Sequence, residues 1–265
     1  MKVNKGGLVM HIMHMLSILS VVFCIALFFM CYFREKLHHR FIEPLFIIAD
    51  AVFFFCWNYA KFERGSLGDG FMTFDNISPF ICTLILVIPL LSEKIKKYAY
   101  AAIAFLAFGM FVALFVSPEV EYLMNYHQDA MFLHVSEAAC HLIMGLYGFY
   151  LVLSGKVGLS MKSFGKALIC IYSVIGFGLF LNLCFHRSFF GMNMYGEYSI
   201  YFMDIFGSFE ATLLAYLLGV LFTITVGFFT CRFLDWLSKP RVKIAVTALE
   251  SNAVNDSIEK CENPE

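Results

Sequence analysis

The chain has 265 residues, of which 60% are apolar and only 15% are charged. Soluble domains are about 45–50% apolar and about 25% charged, and a water-soluble core of this size has no room for 32 phenylalanines. The formal net charge of −1 gives no reason to expect a nucleic-acid partner. The composition therefore indicates a helical bundle in a membrane.

Seven hydrophobic stretches follow one another along the chain, each long enough for a helix to cross a bilayer, which takes ~20 residues. The first begins after Lys2 and Lys5 and is too long for the apolar part of a secretion signal, so we expect an uncleaved span. Pro79 and Pro89 lie in the third stretch and are expected to kink it. The predicted spans cover residues 8–33, 41–60, 74–92, 98–117, 130–153, 164–185 and 201–231.

The basic residues alternate between the connections. The connections after spans 1, 3 and 5, together with the C-terminal segment, hold 14 of the 19 Lys and Arg residues. Because cytoplasmic connections carry an excess of Lys and Arg, we predict an all-α, polytopic, seven-span bundle in residues 1–245. Its N-terminus lies outside and its C-terminus in the cytoplasm, in a multi-pass protein of the cell membrane whose partners are membrane lipids. Residues 246–265 are poor in aromatic side chains, which predicts a disordered cytoplasmic tail.

Polar side chains inside the predicted spans fall in one half of the bundle. Span 5 carries His134, Glu137 and His141, which lie on one stripe of a helix. Other polar side chains of the outer half include Asp50 in span 2, Asp75 and Asn76 in span 3, Asn182 in span 6 and Glu210 in span 7. Charged groups within lipid are costly and usually face a protein interior or water. This shared depth predicts a polar cavity in the outer half of the bundle.

Two chemistries suit these residues. Glu137 precedes His141 by four residues, so its carboxylate can orient the imidazole as a general base. A metal site is the other possibility, but the spacing His-x-x-Glu-x-x-x-His is neither of the His-Glu-x-x-His and His-x-x-Glu-His zinc patterns, and we predict no metal and no cofactor.

Alternatively, the polar groups hold the helices together by hydrogen bonds. An unpaired carboxylate at mid-span costs at least ~2.5–3.5 kcal/mol, so each of these acids needs a partner, a proton or water.

Three segments resemble the YwaF family of integral membrane proteins. They are Phe74-Asp-Asn-Ile-Ser-Pro-Phe80, Ser136-Glu-Ala-Ala-Cys-His141, and Asn182 with the loop from Phe189 to Tyr195. The resemblance extends over about residues 45–235. It implies a helical membrane fold and, through a related animal branch of lipid acyltransferases, catalysis by a cysteine and a histidine. The histidine corresponds to His141. The cysteine position corresponds to Asp75, so the thiol nucleophile of that branch is missing, and Asp75 would serve as nucleophile or base.

The main functional hypothesis is a lipid-modifying enzyme that acts by acyl transfer or hydrolysis. His141 would be its base, oriented by Glu137, with Asp75 and Asn76 at the cavity mouth and Asn182 as a hydrogen-bond donor. Further binding residues are expected to be Asp50, Glu210 and His134. The alternatives are a transporter or sensor that binds a small polar ligand or proton in the same cavity, and a non-catalytic subunit of a membrane complex. The chain lacks the internal repeat that many transporters have.

The predicted orientation can be tested by thiol labelling in intact cells. A cysteine introduced within residues 119–129 is expected to react with a membrane-impermeant reagent, because that connection carries no basic residue and is placed outside. A cysteine introduced near Lys96 is expected to stay unlabelled. Both are made in a variant that lacks Cys261 and the other accessible thiols. The reverse labelling would contradict this orientation.

Overall fold

The computed structural model describes residues 5–63, 77–116, 131–185 and 203–239. These residues are helical throughout, apart from short turns, and contain no strand. The helices are α1 (Lys5–Tyr32), α2 (Ile42–Glu63), α3 (Ile77–Val87), α4 (Glu93–Val116), α5 (Met131–Leu153), α6 (Met161–Phe185) and α7 (Phe209–Ser238). Two short 3-10 helices, Arg34–His38 and Ile88–Leu90, precede α2 and α4.

Four of these helices, α2, α5, α6 and α7, are long and apolar enough to cross a membrane. Two shorter apolar helices cover Ile18–Tyr32 and Ile77–Leu90. Large apolar side chains such as Phe55, Leu183 and Phe222 stand exposed on the outside of the bundle. Water would disfavour such a surface, whereas lipid tails solvate it. The all-α membrane fold is thus confirmed, while the seven crossings and their orientation remain predictions.

The two prolines of the third hydrophobic stretch lie in different elements of the structure. Pro79 lies near the start of the described part of α3, and the kink expected there stays a prediction. Pro89 lies in the 3-10 helix that follows α3. A proline cannot continue the α-helical hydrogen-bond ladder, so α3 ends at Val87.

The last helix begins and ends later than the predicted span. Gly207, with φ of +82°, separates residues 203–206 from α7. The Ser208 side chain then caps α7 by accepting a hydrogen bond from the Ala211 N–H at 3.2 Å. At its other end α7 continues through Arg232 to Ser238. Its last turns are held by Asp235, whose carboxylate accepts a hydrogen bond from Arg34 at 2.6 Å.

Helix α4 lies at the centre and packs against α5, α6 and α7. All residues from 101 to 107 are buried. Two neighbouring helices approach α4 at glycines. A Cβ added to Gly227 of α7 would lie 1.9 Å from the Phe105 carbonyl oxygen, and one added to Gly148 of α5 would lie 2.1 Å from the Ala107 Cβ. Small residues at such crossings allow the close backbone contact typical of membrane helices.

One end of the bundle is closed by charged groups, and we call it the ion-pair end. Glu43, at the start of α2, accepts hydrogen bonds from Tyr100 and Tyr147 at 2.8 Å each and forms an ion pair with Lys156. The same carboxylate therefore joins α2, α4, α5 and the segment after α5. Helices α2 and α5 run antiparallel, since Phe46 packs on Tyr147 near this end and the later residues of α2 meet the earlier residues of α5.

Candidate functional site

A hydrogen-bonded serine and histidine join α3 to α5 away from the ion-pair end. The His141 side chain is 5% exposed. Its Nε2 lies 2.9 Å from the Ser78 Oγ, and its Nδ1 lies 2.9 Å from the main-chain carbonyl oxygen of Glu137. A carbonyl only accepts, so the contact with Glu137 requires a proton on Nδ1, and in the uncharged tautomer Nε2 is then an acceptor. The Ser78 hydroxyl consequently donates to His141.

Hydroxyl groups of the bundle make hydrogen bonds both within a helix and between helices. Ser136 donates to the Phe132 and Leu133 carbonyls, one turn earlier in its own helix, at 2.7 and 2.9 Å. Ser and Thr commonly satisfy themselves in this way within helices. Ser78 of α3 has a hydrogen bond to another helix, through His141 of α5.

Further buried polar groups continue from this pair along α3. Cys82 follows Ser78 by one turn, and its thiol lies beside that of Cys140, the residue before His141. Both thiols are fully buried. Asp50 of α2 lies next to Cys82 and is 0% exposed. Within the described part of the chain, neither carboxyl oxygen of Asp50 makes a hydrogen bond of normal geometry.

Trp57 lies two turns beyond Asp50 on α2 and packs on His141. The centroid of its ring is 6.1 Å from that of His141, with the two planes inclined by 56°. Trp57 is 2% exposed, and its indole N–H has no acceptor among the described residues. The Lys61 ammonium lies 4.7 Å from the centroid of the indole ring. We call these side chains of α2, α3 and α5 the polar seam: Asp50, Trp57, Ser78, Cys82, Cys140 and His141.

The structure brings some of the predicted site residues together. His141 and Asp50 both lie in the polar seam. Glu137 contacts His141 through its main-chain carbonyl, whereas the sequence hypothesis had used its carboxylate; its side chain is half-buried. Asn182 is half-buried near the end of α6, a helix that packs on α4 and α7. Glu210 is exposed in the first turn of α7.

Other predictions fall outside the described residues. They concern Asp75 and Asn76, the side chain of His134 and the tail at 246–265. Their roles remain predictions. No group of three or more His, Cys, Asp or Glu side chains suited to a metal ion is found within the described ranges.

The sequence hypothesis missed Ser78 and Trp57. A signal for Trp57 was available, because it follows Asp50 by seven residues and so shares one face of α2 with it. Ser78 gave a weaker signal. It lies in the segment Phe74–Phe80 that the sequence singled out, but it stands in no nucleophile motif and its partner lies 63 residues away.

No family model matches the chain, and no curated protein and no solved structure matches it.

Replacing Asp50 tests whether its buried carboxyl lowers the stability of the folded protein. Asp50→Val is expected to raise the melting temperature of the purified protein, because it removes a buried carboxyl without a described partner, which costs about 1–3 kcal/mol. Asp50→Asn, which keeps a polar group of the same size, is expected to have a smaller effect. Thermal unfolding in detergent measures both. A fall of several degrees for Asp50→Val would show that the carboxyl has a stabilising partner.

Proposed function

We propose that the protein is a membrane enzyme that cleaves or transfers the acyl chain of an ester lipid. Ser78 is the nucleophile and His141 the general base. The observation that carries the proposal is the 2.9 Å hydrogen bond from the Ser78 hydroxyl to Nε2 of His141, a ring whose Nδ1–H is held by the Glu137 carbonyl. A nucleophile, a base and a group that orients the base are the parts that covalent acyl transfer requires.

The reaction balances with these two side chains. The Ser78 Oγ attacks the ester carbonyl carbon while its proton moves to Nε2 of His141. The bond between that carbon and the alcohol oxygen then breaks, and the alcohol leaves with the proton from His141. The acyl chain remains on Ser78 as an ester. Water, or a hydroxyl of a second lipid, next gives a proton to His141 and attacks the ester carbonyl carbon. The bond between that carbon and the Ser78 oxygen then breaks, and His141 returns the proton to this oxygen, which restores both side chains and completes hydrolysis or transfer.

The surroundings of the pair favour the charges that this step creates. The His141 ring becomes an imidazolium, and the Glu137 carbonyl stabilises it because Nδ1–H is already directed at the carbonyl oxygen. The substrate carbonyl oxygen becomes negative near Ser78, which lies in the first turn of α3. The N-terminal end of a helix carries a partial positive charge, so α3 favours negative charge at this place.

The proposal includes the seven-span topology with the N-terminus outside. That topology places Ser78 and His141 in the outer half of the bundle, so the substrate is a lipid of the outer leaflet of the cell membrane. The resemblance of residues 74–80 to the YwaF family supports an acyl-transfer reaction. The related acyltransferases carry their thiol at the position of Asp75. In this chain Ser78, three residues later, supplies the nucleophile in its place.

A second candidate function is a transporter or sensor that binds a proton or a small polar ligand in the polar seam. The fully buried, unpartnered carboxyl of Asp50 favours it, because intramembrane acids of this kind mark proton and substrate pathways. In such a protein the bond between Ser78 and His141 only ties α3 to α5.

Two variants and one control separate these functions. Ser78→Ala and His141→Ala are expected to lower turnover of a phospholipid with labelled acyl chains, in bilayer nanodiscs, by at least about a thousandfold, as for the loss of other acyl-transfer nucleophiles and bases. Ser136→Ala removes a buried hydroxyl that bonds only to its own helix in the described contacts. It is expected to stay within about threefold of the original rate, the small change of a residue outside the reaction.

Covalent labelling provides the second measurement. A fluorophosphonate is expected to attach to Ser78, as mass spectrometry of the digested protein shows, and His141→Ala is expected to slow this reaction. Full turnover by Ser78→Ala would contradict the proposal. The proposal would also be contradicted if the unmodified protein neither turns over phospholipid nor reacts with the fluorophosphonate. In that case Ser78→Ala and His141→Ala are expected only to lower the melting temperature.

A further inference from the structure

The indole ring of Trp57 packs on His141 of the Ser78–His141 pair, and its N–H is a buried donor. Helix α2 packs on both α3 and α5, so three helices meet here and each contributes one side chain: Trp57, Ser78 and His141. The two side chains from α3 and α5 are hydrogen-bonded to each other. The Trp57 N–H, from α2, has no acceptor among the described residues although it is 2% exposed.

A buried N–H without an acceptor is unusual in folded proteins and disfavours the folded state. Phenylalanine would fill nearly the same space without this disadvantage. Buried tryptophans normally direct the N–H to a partner. The donor next to His141 is therefore explained if its acceptor belongs to a molecule that the site binds.

We propose that the Trp57 N–H binds the carbonyl oxygen of the ester substrate and stabilises the negative charge that develops on it. This inference rests on the proposed function, and it assigns Trp57 a catalytic role that the sequence did not indicate. The acceptor is a neutral carbonyl oxygen in the bound ester and an oxyanion in the tetrahedral intermediate. A donor fixed before the reaction binds the oxyanion more strongly than the carbonyl and so lowers the barrier.

Lys61 strengthens Trp57 as a donor. Its ammonium group lies 4.7 Å from the centroid of the indole ring. A cation above an aromatic ring is attracted by the π electrons and draws electron density away from the N–H, which leaves the hydrogen more positive. The exposed Trp236 on α7 lacks the features of this environment: it is 62% exposed and stacks on Phe233.

The chain contains only two tryptophans, so Trp236→Phe is a matched control for Trp57→Phe. With labelled phospholipid in nanodiscs, Trp57→Phe is expected to lower kcat by about 10²–10³-fold, the usual effect of losing one oxyanion donor. Its KM is expected to change less than about threefold, because the donor acts mainly on the oxyanion. Trp236→Phe is expected to change neither constant.

A spectroscopic measurement does not depend on the folding of a Trp57 variant. In Trp236→Phe, Trp57 is the sole indole, and ultraviolet resonance Raman spectroscopy reports whether its N–H is hydrogen-bonded. Reaction of Ser78 with a long-chain fluorophosphonate leaves a tetrahedral phosphorus whose oxygen occupies the place of the oxyanion. The N–H band is expected to move to the hydrogen-bonded position after this reaction and to stay unchanged in protein treated with the hydrolysed reagent.

The outcomes separate the two proposals. If Ser78 reacts and phospholipid is turned over, but the N–H band and the kcat of Trp57→Phe are unchanged, the role of Trp57 is wrong and the proposed function stands. If Ser78 does not react and phospholipid is not turned over, the proposed function fails and the role of Trp57 fails with it.

Discussion

In lipid, a polar side chain has no water to bond and must find its partner inside the protein. At the ion-pair end Glu43 meets this requirement, because its carboxylate has partners in Tyr100, Tyr147 and Lys156. The polar seam meets it only in part. Both nitrogens of His141 have partners. The Asp50 carboxyl has only the Cys82 thiol beside it, and the Trp57 N–H has no acceptor among the described residues. The contacts of Glu43 hold helices together. The polar seam leaves a hydrogen-bond donor that a bound ligand could use.

The protonation of His141 determines what the polar seam can do. The Glu137 carbonyl fixes the proton on Nδ1, and this leaves Nε2 ready to accept the Ser78 proton. A carboxylate in the place of the carbonyl would stabilise the imidazolium more strongly, because a charge-assisted hydrogen bond is roughly twice as strong as a neutral one. A neutral carbonyl has the advantage that it needs no further charge within the membrane, where each unpaired charge is costly.

Much of this arrangement could be predicted from the sequence, and the limits have physical causes. Long apolar stretches predict helices in lipid, and an acid or histidine within such a stretch is conspicuous, so Asp50 and His141 could be found. The spacing of Glu137 and His141 predicted a contact but not its atom, because the side chain and the carbonyl of residue i−4 lie on the same side of a helix. Ser78 could not be found, since a serine is unremarkable in an apolar helix and its bond to His141 depends on the packing of α3 against α5. The end of α7 also depends on packing, through the contact of Asp235 with Arg34.

The hydrogen bond between Ser78 and His141 can be observed directly by solid-state nuclear magnetic resonance of protein with isotope-labelled histidines in phospholipid bilayers. The chain has eight histidines, and loss of a signal in His141→Asn assigns the ring of interest. The expected result is a protonated Nδ1 and an unprotonated Nε2, with Ser78→Ala shifting the Nε2 resonance and leaving Nδ1 nearly unchanged. A proton on Nε2, or an Nε2 resonance that does not respond to Ser78→Ala, would contradict the assignment of Ser78 and His141 as nucleophile and base.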